Sequence, residues 1–132
     1  FCTLLKQRGM FDSEPQRPLA SSPHIEVRST PYTGEAHARG VFSLVPIPRG
    51  TLIEVSHCLT FDSDEHTQYA MKTVLQHYTF CAGGGVYFLA LGIGSLFNHT
   101  DPPNVEFRIS RRDATVSFFA CRDIAPNEEL CI

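Results

Sequence analysis

The part of the sequence best suited to chemistry is a short polar stretch, Phe97 to Asn104, that reads Phe-Asn-His-Thr-Asp-Pro-Pro-Asn. Asn98 offers a carboxamide that both donates and accepts hydrogen bonds, and His99 offers an imidazole. The two prolines that follow restrict the backbone and would hold the loop in one shape. Taken alone, an Asn-His pair before prolines is more often a simple turn. The stretch is therefore a candidate binding loop that needs support from the rest of the chain.

Other candidate sites carry less weight. The Gly92-Ile93-Gly94 segment lacks the strand, glycine pattern and helix of a dinucleotide-binding loop, so we reject that kind of site. The six histidines have no tight ligand spacing, and we expect no metal. The five cysteines form no CxxC pair and are odd in number, which favours buried reduced thiols over zinc ligands or disulfides.

The composition indicates one globular domain. The chain has 132 residues, of which 42% are hydrophobic and 19% are charged, enough for one hydrophobic core. A net charge of −3 argues against direct binding of nucleic acid through its phosphates and suits a basic partner. The longest apolar run, Val86 to Leu91, is the length of a strand, so we expect no contact with a membrane.

The elements that must position the polar stretch are mostly strands. Residues 1–23 are polar and contain prolines without a sustained period, so we predict a flexible N-terminal flank before a domain over 24–132. Within that domain, segments rich in β-formers and bounded by turn residues predict strands at 24–28, 40–45, 51–55, 86–91, 105–109 and 115–121. Strands with one sizeable helix indicate a β-rich α+β fold.

The one predicted helix begins near Asp62. Asp62 is a suitable N-cap, and Glu65 three residues later completes an acidic capping box. An apolar stripe then follows at the i, i+3, i+4, i+7 spacing of one helix face: Met71, Val74, Leu75 and Tyr78. The pattern predicts a helix that reaches Tyr78 and buries this stripe in the core.

Two segments of the chain resemble each other. Ile47-Pro48-Arg49-Gly50 is similar to Ile124-Ala125-Pro126-Asn127, and an apolar segment follows each of them. Glycine and asparagine share the fourth position, and both tolerate the left-handed backbone conformation. We therefore predict the same tight turn at Gly50 and at Asn127.

Four motifs, in order along the chain, resemble those of the SET-domain family. The polar loop is similar to the family signature Asn-His-Ser-Cys-x-Pro-Asn, with the Asn, His, Pro and final Asn in place. The other three resemblances are Ala38 to Phe42 with the opening Gly-x-Gly-Val-Phe, Tyr78 to Phe80 with Tyr-x-Phe, and Arg122 to Leu130 with Arg-Asp-Ile-x-x-Gly-Glu-Glu-Leu. The run Leu89 to His99 is similar to that of small stand-alone fungal-type SET proteins. The resemblance covers residues 38–132.

The resemblance implies a site for S-adenosylmethionine. Members of the family hold this cofactor against the opening motif and the Asn-His pair, so Asn98 would hold its methionine end and His99 would contact its adenine through the backbone. Such a site needs the loop after Gly94 to meet the segment before Val41. The cofactor-binding residues implied in this way are His37, Ala38, Arg39, Gly40, Asn98 and His99.

The resemblance also implies a channel for the substrate lysine, with Tyr78 and Phe80 as its catalytic residues. An aromatic channel disfavours the charged ammonium and lowers the pKa of the lysine amine that enters it. The fold implied is a SET domain of several short strands in small sheets, with one main helix and a pseudoknot-like threading of the C-terminal segment. The family's catalytic tyrosine would follow just beyond Ile132, so we expect the 132-residue chain by itself to be inactive.

The implied function is S-adenosylmethionine-dependent methylation of a lysine in a protein, most commonly a histone tail, inside the cell and chiefly in the nucleus. The alternative is a non-catalytic SET-like module that binds a peptide or the cofactor. Three features favour the alternative: Ala38 replaces the first glycine of the opening motif, Val55 stands where many members have a tyrosine, and the sequence stops before the position of the catalytic tyrosine. A tyrosine two positions beyond Ile132 in a longer sequence would favour the enzyme.

Overall fold

The structure, a computed structural model, describes residues 24–31 and 38–132. The predicted flank of residues 1–23 and the predicted cofactor residue His37 lie outside the described residues. Within them the strands are β1 (Ile25–Ser29), β2 (Arg39–Ser43), β3 (Leu52–Phe61), β4 (Thr79–Gly83), β5 (Val86–Ala90), β6 (Val105–Ser110), β7 (Thr115–Ala120) and β8 (Glu129–Leu130). The only α-helix in this part of the chain is α1 (Ser63–Gln68).

These strands form two antiparallel sheets. The small sheet has the order β1-β2-β8, and the larger one has the order β4-β5-β3-β7-β6. The β-rich α+β fold predicted from the sequence is confirmed, with the six predicted strands present and β4 and β8 in addition. The core joins both sheets, with Val41 and Leu130 from the small sheet buried together with Phe88 and Phe118 from the large one.

The large sheet curls until its two edges meet. Phe80 on edge strand β4 contacts Phe107 on the opposite edge strand β6, with ring centroids 5.1 Å apart. Phe118, which is fully buried, fills the interior and packs edge-on against Phe80 at 6.1 Å. Face-to-face stacking of Phe118 on Phe97, with centroids 4.4 Å apart, then ties the interior to the polar loop that follows Phe97.

The predicted long helix is wrong beyond its first turns. Its start is as expected, because the Asp62 carboxylate accepts from the Glu65 backbone N–H at 2.8 Å and the Glu65 carboxylate accepts from that of Asp62 at 3.2 Å. The α-helix ends at Gln68, however, and two short 3₁₀ turns follow, Ala70–Lys72 and Val74–His77.

Beyond the end of α1, the side chain of Thr73 holds the chain in a separate 3₁₀ turn and prevents the helix from resuming. The Thr73 hydroxyl donates to the Ala70 carbonyl at 3.0 Å and accepts from the Leu75 N–H at 3.2 Å, and its own backbone is extended. Met71 and Val74 of the predicted stripe are 47% and 63% exposed. Leu75 and Tyr78 are only half-buried, so the stripe gains too little packing to offset the poor helical propensity of the threonine and valine.

The two similar turn segments pair with each other about a local two-fold axis. Ile47 and Ile124 exchange both backbone hydrogen bonds, each at 2.9 Å. Gly50 has φ +83° and its N–H donates to Ala120 O at 2.8 Å; Asn127 has φ +64° and its N–H donates to Ser43 O at 2.7 Å. Each acceptor lies four residues before the paired isoleucine. The left-handed turns predicted at Gly50 and Asn127 are confirmed.

The C-terminal segment threads between the small sheet and the polar loop. On one side, β8 pairs with β2. On the other, Ile132 N donates to Asn98 O at 2.8 Å, and Cys131 O accepts from Val105 N at 2.9 Å. Loop and segment are therefore bonded at both ends of the loop, which is the pseudoknot-like arrangement expected from the resemblance.

Glu128, just before this segment, is held by an ion pair with Arg122 and by hydrogen bonds from Ala125 N and Asn104 Nδ2. These contacts, the Arg122 guanidinium first among them, lower the pKa of Glu128 from its usual 4.5 to about 2. A carboxyl whose pKa is lower in the folded state stabilises that state above its unfolded pKa. This contribution is lost as the pH falls from about 4.5 toward 2.

We therefore expect Glu128→Gln to flatten the dependence of stability on pH in this acid range. Urea unfolding midpoints measured between pH 6 and pH 2.5 should fall less steeply for the variant than for the wild type. Arg122→Met should have the same effect, because it removes the same ion pair from the other side. Parallel curves for Glu128→Gln and the wild type would contradict the assignment.

No helix among the described residues is long and apolar enough to cross a membrane. In the same ranges, no three His, Cys, Asp or Glu side chains are grouped so that they could hold a metal ion.

Candidate cofactor and substrate site

The polar loop is anchored by the short 3₁₀ turn Gly94–Leu96 that precedes it. This turn packs so closely on β3 that a Cβ at Gly94 would lie 2.3 Å from Ser56 Oγ and 2.9 Å from Ala90 Cβ. Only glycine fits at this position. The buried Phe97 ring then fixes the loop to the core, and Asn98 emerges at a half-buried position next to it.

Asn98 meets the opening motif directly. Its Nδ2 donates to Arg39 O at 3.1 Å and to Glu129 Oε1 at 2.7 Å. The loop after Gly94 and the segment before Val41 are therefore in contact, as the resemblance required. The carboxylate of Glu129 lies directly over Gly40, since a Cβ there would be 2.1 Å from Glu129 Oε1. Any side chain at position 40 would displace this carboxylate.

The other implied cofactor residues surround this contact. Ala38 is buried, and its carbonyl accepts from Thr30 N at 3.0 Å. Arg39 and His99 are exposed, and it is the backbone carbonyl of Arg39 that contacts Asn98. Among the described residues, Ala38, Arg39 and Gly40 thus lie at the start of β2, where Asn98 and the adjoining His99 meet them.

Asn104, the last residue of the polar loop, holds the threaded C-terminal segment in place. It is 3% exposed, and its Nδ2 donates to Glu129 O at 2.7 Å while its Oδ1 accepts from Cys131 N at 2.8 Å. The same Nδ2 also lies 3.1 Å from Glu128 Oε1. Asn104 matched the family signature, but its structural role required knowledge of the segment that it contacts.

Tyr78 and Phe80 differ in their surroundings. Tyr78 is half-buried at the end of the 3₁₀ turn before β4, and its carbonyl accepts from Ser95 Oγ at 3.1 Å. The single hydroxyl hydrogen of Ser95 is shared with Ala90 O, 2.9 Å away; since Ser95 lies in the turn Gly94–Leu96, its hydroxyl links Tyr78 to the turn that precedes Asn98. Phe80 packs between Phe107 and Phe118, so it contributes to the interior of the curled sheet. The lysine channel stays a prediction for both residues.

The four cysteines in the described ranges only partly follow the expected pattern of buried thiols, and Cys2 lies outside these ranges. Cys131 is buried, and burial, with the nearby carboxylates of Glu129 and Glu128, raises the pKa of its thiol to about 11. A thiol with so high a pKa is a poor nucleophile at neutral pH. Cys58 and Cys121 are partly buried, but Cys81 on β4 is exposed. Burial also raises the pKa of Cys58 and of Cys121.

The groups that converge at Asn98 are mainly hydrogen-bond acceptors. The Arg39 carbonyl and the Glu129 carboxylate accept from its amide nitrogen, and Asn98 Oδ1 accepts no hydrogen bond from the described residues. No Lys, Arg or His side chain in the described ranges forms an ion pair with Glu129. An acceptor-rich, half-open cluster of this kind suits a cationic group. S-adenosylmethionine, which carries an ammonium and a sulfonium, fits it.

Comparison with known proteins agrees with this geometry. The sequence profile of the SET domain matches residues 38–132. A curated protein from Schizosaccharomyces pombe, "Histone-lysine N-methyltransferase, H3 lysine-37 specific", is 44% identical over 115 residues, which cover 87% of this chain and 75% of the relative. A crystal structure of a Plasmodium falciparum protein assigned as a histone methyltransferase superposes with a TM-score of 0.64. It is 23% identical, and the match covers 84% of this chain and 92% of that one, so it supports the fold.

Proposed function

Because this chain belongs to the SET-domain family, we propose that the protein of which it forms the SET domain transfers a methyl group from S-adenosylmethionine to a lysine side chain of a histone. The observation that carries the proposal is the contact of Asn98 with the Arg39 carbonyl, which joins the two motifs that a cofactor site of this family requires. A non-catalytic module that binds the cofactor would share this contact, so methyl transfer is what separates the two functions.

The cofactor would be held by groups of the chain's own backbone and by one side chain. Arg39 O and Asn98 Oδ1 are available for the amino-acid end, and the backbone beside His99 for the adenine. When bound, S-adenosylmethionine supplies a methyl group activated by a positively charged sulfur. No side chain of this chain has to form a covalent bond, so catalysis rests on positioning.

The substrate lysine must be neutral to accept a methyl group, and this requirement defines the role of Tyr78 and Phe80. Half-buried aromatic walls solvate an ammonium poorly, so the pKa of an entering lysine falls and its amine loses a proton. The neutral amine would then attack the methyl carbon as the carbon–sulfur bond breaks, leaving S-adenosylhomocysteine. The Ser95 hydroxyl, which bonds the Tyr78 carbonyl, keeps this wall in a fixed position relative to Asn98.

The histone H3 tail, and lysine 37 within it, is the substrate to test first, since the S. pombe relative is named for that residue. A basic tail suits a chain with a net charge of −3. Histones as substrates would place the protein in the nucleus. Its partner would be a lysine-bearing protein, with no direct contact to nucleic acid or to a membrane.

The test has two stages. First, calorimetric titration of S-adenosylmethionine into the full-length protein should show saturable binding at one site. Second, an array of histone peptides should show methyl transfer to an H3 peptide that contains lysine 37 and none to a matched peptide with arginine at that position. Absence of cofactor binding would contradict the proposal, and binding without transfer to any peptide would favour the non-catalytic module.

A further inference from the structure

The orientation of the Asn98 carboxamide is determined by its neighbours. A backbone carbonyl can only accept, and the Arg39 carbonyl lies 3.1 Å from one end of the amide. The same end lies 2.7 Å from a Glu129 oxygen, so it must be the nitrogen. Both amide hydrogens are thereby committed to protein acceptors, and Oδ1 is the atom that Asn98 presents outward.

Glu129 is itself held through both its side chain and its main chain. Its Oε2 accepts from Thr30 Oγ1 at 2.9 Å, and its main chain is held by Asn104 Nδ2 and by pairing with Phe42 in β2. The absence of a side chain at Gly40 makes room for the carboxylate. A half-buried carboxylate held in this way keeps its partner amide in one rotamer.

We propose that Glu129 is a positioning residue: by holding Asn98 Nδ2 it directs Asn98 Oδ1 toward the α-ammonium of the cofactor. This inference rests on the proposed function, because it presumes an amino-acid cofactor at this cluster. Glu129 acts through Asn98 and Thr30 supports Glu129, so neither has to touch the ligand. The sequence motifs point to Asn98 but do not indicate what orients it.

Calorimetry with two ligands tests the proposal. S-adenosylhomocysteine carries the α-ammonium, and its desamino analogue lacks it; the ratio of the two dissociation constants measures how much the ammonium contributes. For the wild type, the desamino analogue should bind at least about tenfold more weakly, since a hydrogen bond to a charged group is lost. In Glu129→Ala the ratio should fall toward one, because Asn98 is free to rotate.

Two further variants separate positioning from simple destabilisation. Glu129→Gln should keep most of the wild-type ratio, since its carbonyl still accepts from Asn98 and its NH2 donates to the Thr30 hydroxyl. Thr30→Val should lower the ratio by about threefold, as one supporting hydrogen bond is removed. Glu128→Gln is the matched control, because the neighbouring carboxylate faces Arg122 and Asn104, and its ratio should equal that of the wild type.

The outcomes are distinguishable. If Glu129→Ala weakens both ligands equally, Glu129 has only a structural role and the inference is overturned while the proposed function stands. The ratio of dissociation constants could also fall as far in Glu129→Gln as in Glu129→Ala. The carboxylate would then bind the ammonium by its own charge, and the inference that Glu129 positions Asn98 would again be overturned. If the wild type binds neither ligand, the proposed function fails together with the inference.

Discussion

Asn98→Ala is expected to weaken S-adenosylhomocysteine binding on the order of 100-fold, the largest loss that any single change in the polar loop should cause. The variant removes the outward-facing Oδ1 and, with it, a hydrogen bond to a charged group of the ligand. It also leaves Glu129 Oε1 without its donor at 2.7 Å, so the carboxylate no longer has a fixed position. Isothermal titration at constant pH and ionic strength measures the loss.

The isosteric variant Asn98→Asp makes this prediction sharper. Aspartate keeps an acceptor oxygen and adds negative charge, yet its second oxygen would face the Arg39 carbonyl and the Glu129 carboxylate, which repel it. We expect Asn98→Asp to bind S-adenosylhomocysteine as weakly as Asn98→Ala does. Gln68→Ala removes an exposed carboxamide at the end of α1 and should bind as the wild type does. Wild-type affinity in Asn98→Ala would count against the whole site.

Asn104→Ala is expected to lower the free energy of unfolding by roughly 2 to 4 kcal/mol. The buried Asn104 carboxamide bonds the Glu129 carbonyl and the Cys131 N–H, and the alanine leaves that buried N–H without its partner. For a chain of this length the corresponding drop in melting temperature is roughly 10 °C. Because Glu129 is carried by the segment that Asn104 holds, affinity for S-adenosylhomocysteine should fall as well.

Chemical denaturation with urea measures the loss of unfolding free energy in Asn104→Ala, and Asn127→Gly provides the control. Asn127 is exposed and has φ +64°, a conformation that glycine adopts freely, and among the described residues its side chain accepts one exposed hydrogen bond, from Arg28 at 3.1 Å. Its replacement should change the free energy of unfolding by no more than about 0.5 kcal/mol. An unfolding midpoint of Asn104→Ala equal to that of the wild type would show that the hydrogen bonds of Asn104 to the C-terminal segment contribute nothing to stability.

Local patterns in the sequence predicted the local features of this fold. The β-rich runs predicted strands at six places, and the Asp62–Glu65 pair predicted where the helix begins. The residue types at Gly50 and Asn127 predicted two left-handed turns, because few other residues tolerate that conformation. The order of four motifs predicted the family and the contact of Asn98 with the opening motif.

Features that depend on a distant partner were missed or wrong. The apolar stripe from Met71 to Tyr78 has helical spacing, but Met71 and Val74 stay exposed, and the chain forms 3₁₀ turns instead. The two-residue strand β8 has no pattern of its own and exists because β2 lies beside it. Spacing states which residues could share a face; only packing decides whether that face is buried.

The sequence by itself determined the family, the chemical types present in the site and the turns that local backbone preferences demand. Only the tertiary structure decided which atoms meet. Thr30 and Glu129, 99 residues apart, share a hydrogen bond, and Asn104 accepts one from the backbone of Cys131, 27 residues later. The physical reason is that hydrogen bonds between distant segments depend on register and threading. Register and threading are set by burial of the whole core, and they produce no periodic pattern in the sequence.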